Sequence, residues 1–247
     1  MFFIPLFLSN LKTKKIGKQI EYIRTTGSTN KTIYHMLQNK EIEIEGVLIS
    51  DQQTEGKGRR GNTWFSSAGK SLTFSLILKS SDKSLTEKLP LISGIAIIQA
   101  IKKMINIDCQ LKWPNDIVYN YKKLGGILIE KRGDNFIIGI GLNVNDSDFD
   151  ESIQNQACSI YSIIDRSVQR EPLLAFILND FEKLLNNDME EIIKKWESVC
   201  SHMNTFVKFH YSKNILEGDF LGLSKNGEAK IKINKKEHLF NSGVINI

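Results

Sequence analysis

The sequence predicts an α+β fold with a small all-β C-terminal domain, and two observations carry this prediction. Up to about residue 200, short apolar strand patterns alternate with segments of helical periodicity. After about residue 203, short strands separated by turns follow one another, which is typical of a small β-barrel. We therefore expect a larger domain over residues 1–200 and a smaller one over residues 201–247.

Most elements of the larger domain are indicated by their hydrophobic period. The expected helices cover residues 31–39, 89–106, 170–186 and 188–200, and Ser28 offers the first of them an N-cap. The expected strands cover residues 46–50, 71–78, 126–130 and 136–140, and two more, 109–112 and 116–119, flank a sharp corner. Residues 1–10 are apolar but too short for a secretory signal or a membrane span, so we interpret them as a strand or a misplaced start codon.

The C-terminal region has the pattern of short strands separated by turns. Its expected strands cover residues 206–211, 215–223, 229–233 and 238–247, with Asn226-Gly227 as a strong hairpin signal.

Composition limits the class of protein. The 247 residues are 41% hydrophobic and 25% charged, as in ordinary soluble domains, and the net charge of +5 suits an anionic ligand or an acidic partner better than nucleic acid. The three cysteines lack a C-x-x-C pair, which argues against a disulfide framework or a zinc site and favours a cytoplasmic location. The four histidines form no ligand cluster.

A basic, glycine-rich segment at residues 53–61 is the first motif that indicates a possible binding or catalytic role. It contains G-x-G-x-x-G, but residues 62–67 do not open a helix, so a dinucleotide fingerprint is excluded, and no P-loop is present. Glycines allow close approach of the backbone to a ligand, and Lys57, Arg59 and Arg60 match phosphate or carboxylate. The segment is either a lid over an anion or a solvated basic loop.

Two further motifs border possible binding surfaces. Residues 112–116 (KWPND) place a cation, an aromatic ring, an amide and a carboxylate at one corner, and residues 123–130 (KLGGILIE) place Lys123 before two glycines. In residues 139–145 (GIGLNVN), alternate glycines leave a slot on one strand face where a flat ring could lie. Taken singly, each motif is equally compatible with an ordinary corner, hairpin or packed strand.

Together and in this order, the motifs resemble the biotin protein ligase family, from about Ser28 to the C-terminus. The resemblance implies a mixed sheet flanked by helices, related to class II aminoacyl-tRNA synthetases, with a C-terminal SH3-like barrel. It also implies an ATP- and Mg²⁺-dependent ligase that forms biotinyl-5′-adenylate from its substrate biotin. The biotin then passes to one lysine of a biotin carboxyl carrier protein, part of acetyl-CoA carboxylase or another biotin-dependent carboxylase.

The resemblance also implies residue roles. Catalysis falls to Lys123 and Arg59. The expected biotin contacts are Ser28, Thr29, Asn30, Gln53, Lys57, Gly58, Arg59, Lys123, Gly126 and Gly141, with Gly139 also bordering the slot. The expected ATP contacts are Arg60, Trp64, Lys112, Asn115, Asp116 and Asn143. Mg²⁺ would arrive with ATP, without a dedicated protein cage, and Asp116 is its candidate protein ligand.

Physical chemistry supports a central role for Lys123. A carboxylate that attacks an α-phosphate brings two anions together, and a fixed ammonium offsets their repulsion. The sequence departs from the family at Lys57, where Arg is common, and at Glu55, where a small residue is common. Only about 27 residues precede Ser28, so we expect no helix-turn-helix and no sequence-specific DNA binding. The sequence has no run of about 20 apolar residues, so we expect no membrane span. A homodimer is left open.

Three alternatives remain at this stage. A lipoate–protein ligase or octanoyltransferase is similar in fold, but its family lacks the basic G-x-G-R-R-G lid. A nucleic-acid-binding module could use the same cations, although no helix-turn-helix, zinc finger or RNP signature is present. An inactive homologue acting as a scaffold is disfavoured by the intact Lys123 and Arg59.

Overall fold

A computed structural model describes residues 1–82, 84–211 and 214–246 of the chain. The helices are α1 (Ile4–Asn10), α2 (Thr29–Gln38), α3 (Leu85–Ile105), α4 (Ile160–Ile164), α5 (Arg170–Leu185) and α6 (Met189–Glu197). The first sheet contains β1 (Ile20–Thr26), β2 (Val47–Gln53), β3 (Leu72–Lys79), β4 (Gln110–Lys112), β5 (Asp116–Tyr119), β6 (Lys122–Arg132) and β7 (Asn135–Leu142). None of the helices in these residues is both long and apolar enough to cross a membrane.

The first sheet is mixed, which confirms the expected fold class. Its strand order is β1-β2-β3-β7-β6-β5-β4. Strands β1 and β2 run parallel, and the other neighbours pair antiparallel. The antiparallel pairs can be joined by short turns, whereas the parallel pair needs a crossover, and α2 lies within that crossover.

Both faces of the sheet are covered, because successive side chains of a strand point to opposite faces. On β3, Leu76 and Leu78 join the large core that includes α3 and α5, whereas Ile77 joins a small cluster with Ile33 of α2. Helix α2 therefore covers one face, and α3, with α5 and α6 packed against it, covers the other. This double burial explains why the strands read as nearly continuous apolar runs.

The second sheet is antiparallel and five-stranded, in agreement with the expected SH3-like domain. Its strands are β8 (Phe206–Tyr211), β9 (Asn214–Leu223), β10 (Ala229–Ile233), β11 (Lys236–Phe240) and β12 (Val244–Asn246), in the order β11-β10-β9-β8-β12. The Asn226-Gly227 hairpin is confirmed, since it joins the antiparallel pair β9 and β10 with Gly227 at φ +85°. The domain boundary near residue 201 stays a prediction.

Three expectations about elements are wrong. Residues 1–10 form no strand: they contain α1, which has a proline in its first turn and buries Phe7 against α5. The expected strand over 238–247 is two strands, β11 and β12, and Ile247 lies outside the described residues. The expected helix 89–106 begins four residues earlier, at Leu85, and contains Pro90. The elements β1 and α4 were not predicted at all.

A buried histidine lies where the second sheet meets α6. The His202 ring is fully buried, with its centroid 4.3 Å from that of Phe220 and 6.2 Å from that of Trp196. Its Nδ1 lies 3.2 Å from Ser201 Oγ, and its Nε2 has no hydrogen-bond partner among the described residues. Burial, assisted by the positive charge of Lys112, lowers the pKa of His202 to about 3.

This burial predicts a pH dependence of folding. The unfolded chain binds a proton at His202 near its ordinary pKa of about 6.5, and the folded chain does not. Stability is therefore complete above about pH 6.5 and falls as the pH drops toward 3, by up to about 1.4 kcal/mol per pH unit from this group. The free energy of unfolding, measured by urea denaturation between pH 4 and 8, should fall less steeply toward low pH in His202→Phe than in the wild type. In other words, the acid limb of its pH profile should be shallower.

The control for this prediction is His35→Phe, because His35 is exposed on α2. It should leave the acid limb as steep as in the wild type. Equal slopes for His202→Phe and the wild type would show that His202 is not protonated on unfolding in this range.

Candidate active site

A cavity of about 150 Å³ lies on the α2 face of the first sheet, beyond the N-terminal end of that helix. The cavity lies there because of the residue pairs that the neighbouring strands β3 and β7 place on this face of the sheet. These pairs are Ile77–Ile137, Ser75–Gly139 and Thr73–Gly141. Helix α2 packs on the isoleucine pair. The next two pairs offer small or polar groups, so the sheet has room for a ligand there.

One end of the cavity is a buried polar network at the start of α2. Gln53 Oε1 accepts hydrogen bonds from Thr29 N (2.7 Å) and Thr29 Oγ1 (3.0 Å). Ser75 Oγ lies 2.8 Å from Thr29 Oγ1 and 2.6 Å from Asn30 Oδ1, and Asn30 Nδ2 donates to Glu130 Oε2 at 2.8 Å. This end presents several oriented donors and acceptors, as a small amide-like group would require.

A basic cluster forms the other end. Lys123 Nζ lies 2.7 Å from Asp116 Oδ1, and a Cβ at position 126 would lie 3.4 Å from that ammonium. Gly126 therefore leaves the space into which Lys123 bends. Burial lowers the pKa of Lys112, with Asp116 acting in the opposite sense and Lys123 adding to the decrease. Two cations near one carboxylate make this end attractive to an additional anion.

The basic glycine-rich segment crosses the cavity as a lid. Residues 57 and 63 form an antiparallel bridge, Gly58 N donates to Asn62 O at 2.7 Å, and Arg59–Gly61 form a short 3₁₀ turn. Arg59 turns inward, and its Nη1 donates to Asn115 Oδ1 at 3.2 Å. Burial and the neighbouring Arg60 lower the pKa of Arg59. As expected, no helix follows Gly61.

The side chain of Arg60 extends from the lid toward the second sheet. Its backbone has φ +57°, a left-handed conformation that costs a non-glycine residue about 1 kcal/mol. Its exposed Nη1 donates to His210 O on β8 at 3.3 Å. Residues 243–245 of the second sheet also line the cavity. The C-terminal domain thus supplies part of the cavity wall and an anchor for the lid.

Trp64 covers the glycine slot of β7. A Cβ at position 141 would lie 2.3 Å from Trp64 Cε2, so the indole rests directly on Gly141. Its Nε1 is buried without a hydrogen-bond partner among the described residues, as is the neighbouring Thr73 Oγ1. Gly56 is also sterically required, because a Cβ there would lie 2.3 Å from Trp64 O.

With one exception, the predicted site residues lie in the lining of this single cavity. The lining includes Ser28, Thr29, Asn30, Gln53, Lys57, Gly58, Arg59, Arg60, Trp64, Lys112, Asn115, Asp116, Lys123, Gly126, Gly139 and Gly141. The exception is Asn143, which is 5% exposed and lies outside the lining. Within the described part of the chain, no three His, Cys, Asp or Glu side chains are grouped to hold a metal ion.

Several cavity residues were missed by sequence reasoning. They are Thr73, Ile127, Leu128 and residues 243–245 in the lining, with Ser75 and Glu130 in the polar network. Thr73 and Ser75 gave a usable signal, since they are polar at alternate positions of an otherwise apolar strand. Residues 243–245 gave none, because a separate sheet brings them to the cavity.

The fold and the cavity define a class of protein: an α+β domain with a cavity that is polar at one end, cationic at the other and covered by a basic segment. Residues 22–145 match the model of the Biotin/lipoate A/B protein ligase family, and the chain belongs to that family. It is 31% identical over 237 residues to the bifunctional ligase/repressor BirA of Bacillus subtilis, covering 91% of this chain and 73% of that protein.

Two other comparisons agree. The biotin–[acetyl-CoA-carboxylase] ligase of Mycobacterium tuberculosis is 29% identical over 189 residues, which cover 72% of this chain and 70% of that protein. Among solved structures, the biotin protein ligase from Aquifex aeolicus in complex with biotin and ATP superposes with a TM-score of 0.81 at 29% identity. That match covers 93% of this chain and 99% of the other.

The tight contact at Gly139 yields a testable prediction. In Gly139→Ala the new methyl would lie 2.4 Å from Asn30 Oδ1, whose side chain Ser75 and Glu130 already hold. We expect a loss of about 1–3 kcal/mol in the free energy of unfolding, the usual cost of overpacking, measured by urea denaturation. Gly27→Ala is the control, because its nearest neighbour would be 3.6 Å away; a similar loss there would contradict this account.

Proposed function

We propose that this chain is a biotin–protein ligase. It activates biotin with ATP to biotinyl-5′-adenylate and then transfers biotin to a lysine of a biotin carboxyl carrier protein. The observation that carries the proposal is the position of the Lys123 ammonium, held over Gly126 in the same cavity as the polar network of Thr29, Asn30 and Gln53. The names of the related proteins agree with biotin rather than lipoate or octanoate as the substrate.

The two ends of the cavity match the two ends of biotin. The ureido ring offers two N–H donors and one carbonyl acceptor, which the network around Thr29, Asn30 and Gln53 can satisfy. The carboxylate at the other end of the molecule reaches Lys123. Leu128 and the ring of Trp64 also line the cavity and offer apolar surface to the hydrocarbon chain.

Charge governs the first step. A biotin carboxylate oxygen attacks the α-phosphorus of ATP, a phosphorus–oxygen bond forms, and pyrophosphate leaves. Lys123 offsets the repulsion between the two anions and stabilises the charge that develops on the phosphoryl oxygens. In the second step, the ε-amine of the carrier lysine attacks the acyl carbon, AMP leaves, and the amine loses a proton. The mixed anhydride is already activated, so no enzyme nucleophile is required.

The donor set also fits Mg²⁺ brought in by ATP. Magnesium commonly takes one or two protein oxygens and completes its shell with phosphates and water. Asp116 and the amide oxygen of Asn115 stand next to Lys123 and Arg59, on the side assigned to the phosphates. When bound, the ion would neutralise phosphate charge.

The partner in this proposal is a carrier domain of acetyl-CoA carboxylase or another biotin-dependent carboxylase. The relative from Mycobacterium tuberculosis is named for such a carboxylase. We propose a cytoplasmic location, where these carriers and ATP are found together, and no sequence-specific DNA binding. A homodimer remains compatible with the proposal.

The first functional prediction concerns Lys123. Lys123→Ala removes the ammonium that faces both anions, so adenylate formation should fall by about 10²-fold or more. The measurement follows labelled ATP, with biotin and Mg²⁺, into biotinyl-adenylate.

Lys122→Ala is the matched control, because Lys122 is the exposed neighbour on the same strand. It should keep the wild-type rate. A folded Lys123→Ala protein with near-normal pyrophosphate release would remove Lys123 from the mechanism. If the wild type forms no adenylate from biotin, the proposed function itself fails.

The second functional prediction concerns retention of the intermediate by the lid. Arg59 is half-buried against Asn115 and is aimed into the cavity, where it can hold the adenylate. Arg59→Gly removes a charge-assisted hydrogen bond worth about 1.5–3 kcal/mol and loosens the lid. We expect adenylate to form still, but to leave about ten- to a hundred-fold faster, so that serum albumin added as a bystander becomes biotinylated.

Arg166→Gly serves as the comparison, since Arg166 is exposed outside the cavity lining. It should show the wild-type adenylate off-rate and no bystander labelling. An Arg59→Gly protein with these same properties would mean that Arg59 does not retain the intermediate.

A further inference from the structure

Glu130 ends the motif KLGGILIE and lies outside the lining of the cavity described above. Its side chain is 34% exposed, and its Oε1 lies 3.8 Å from the guanidinium of Arg132. Its other oxygen, Oε2, accepts a hydrogen bond from Asn30 Nδ2 at 2.8 Å. Because Asn30 lines the cavity, this amide connects Glu130 to the site.

The carboxylate of Glu130 determines which way the Asn30 amide faces. A carboxylate offers acceptors and no donor, whereas a side-chain amide has two donors at one end and an acceptor at the other. Asn30 therefore turns Nδ2 toward Glu130 and toward a second acceptor, Leu128 O, at 3.4 Å. The reverse orientation would place Asn30 Oδ1 against both acceptors. As a result, Asn30 Oδ1 faces Ser75 Oγ at 2.6 Å.

This orientation of Asn30 leaves the buried network one proton short. Gln53 Oε1 accepts from Thr29 N, and the Thr29 hydroxyl, 3.0 Å away, must also donate to it because Oε1 carries no proton. Thr29 Oγ1 and Asn30 Oδ1 can then only accept from Ser75 Oγ, which lies 2.8 and 2.6 Å from them. Ser75 has a single hydroxyl proton for these two contacts. One of the two acceptors therefore lacks a full hydrogen bond.

Without Glu130, the network would have enough protons. The Asn30 amide could rotate by 180°, its Nδ2 would donate to Ser75 Oγ, and Ser75 would donate to Thr29. Every contact in the network would then have its own proton. With Glu130 in place, Thr29 and Asn30, which both line the cavity, keep an acceptor that an N–H group of a ligand can satisfy.

We propose that Glu130 is a positioning residue that favours a ligand with N–H donors, because it holds Asn30 Oδ1 toward the acceptor-rich side of the network. The inference rests on the proposed function, in which the ligand is biotin. The ureido ring of biotin has two N–H groups, and either can supply the missing proton. The proposal assigns to Glu130 an effect on the affinity for biotin, and none on the affinity for ATP or on the adenylation step.

The test measures the dissociation constant of biotin by titration calorimetry, without ATP, for two variants. Glu130→Gln keeps the size of the side chain but adds a donor, so Asn30 is free to turn either way. We expect about ten-fold weaker binding of biotin, the effect of one hydrogen bond. KM for ATP and kcat for adenylate formation should stay within about two-fold of the wild type. Ser75→Ala removes the internal proton donor and leaves both acceptors to the ligand, so biotin should bind more tightly, by up to about ten-fold.

Arg132→Ala is the control, because it removes the other partner of Glu130 and leaves the contact with Asn30. It should bind biotin as the wild type does, and an effect equal to that of Glu130→Gln would assign the effect to the ion pair and overturn the proposal. In the Asn30→Ala background, Glu130→Gln should change the affinity no further, because the two residues act as a unit.

Other outcomes would also overturn the proposal. Unchanged biotin affinity in a folded Glu130→Gln protein would show that Glu130 does not act on the binding of biotin, and a lower Tm alongside it would leave Glu130 a purely structural role. Weaker binding in Ser75→Ala as well as in Glu130→Gln would mean that the network is a scaffold without a proton deficit. A KM for ATP that rises together with the dissociation constant of biotin would indicate general damage to the site. A wild type that does not bind biotin would instead refute the proposed function.

Discussion

The Lys123 ammonium can stand over the sheet because residue 126 has no side chain. Antiparallel pairing places Gly126 between Gly141 on one side and Asp116 on the other, so Lys123 and its carboxylate partner meet above a strip of bare backbone. A shift of one residue in this register would turn Asp116 to the opposite face. The cavity, the lid that contacts Asn115 and the backbone of residues 156–158, which is hydrogen-bonded to Lys123, are all arranged around this point.

The cavity lies where α2 no longer covers the sheet. Some polar atoms buried there have no hydrogen-bond partner in the described part of the chain, which lowers the free energy of unfolding. Thr73 Oγ1 and Trp64 Nε1 are buried without hydrogen-bond partners among the described residues. A buried donor of this kind costs about 1–3 kcal/mol. The apolar core on the opposite face of the sheet, which includes Phe74 and Leu76 from the same strand as Thr73, supplies the compensating stability. Departures from ideal packing are expected at functional sites.

The local sequence pattern was sufficient to predict much of the fold and those site residues that lie within motifs. Lys123, Asn115 and Arg59 could be assigned to one site because family motifs carry them, although each motif alone was ambiguous. Ser75 gave an alternating polar signal and Glu130 lies in a motif, but neither signal predicts their contacts with Asn30. Those contacts depend on strand register and on a helix that begins near residue 29. Asn143 was predicted to contact the nucleotide, and this stays a prediction, because the contacts of its Nδ2 with Cys158 O and Lys123 O leave the other atom of the amide available. The first ten residues were misread because a short apolar run does not distinguish a strand from a helix.

The indole resting on Gly141 gives the protein an internal optical reporter. The chain has three tryptophans, and two of them, Trp64 and Trp113, line the cavity, while Trp196 is buried beside His202. A molecule that enters the cavity changes the polarity around the first two indoles and leaves the third in its apolar surroundings. The emission spectrum of the unlabelled protein therefore carries a ligand-sensitive component from the cavity and a steadier component from the core. Occupancy of the site can be followed in real time without attaching a dye.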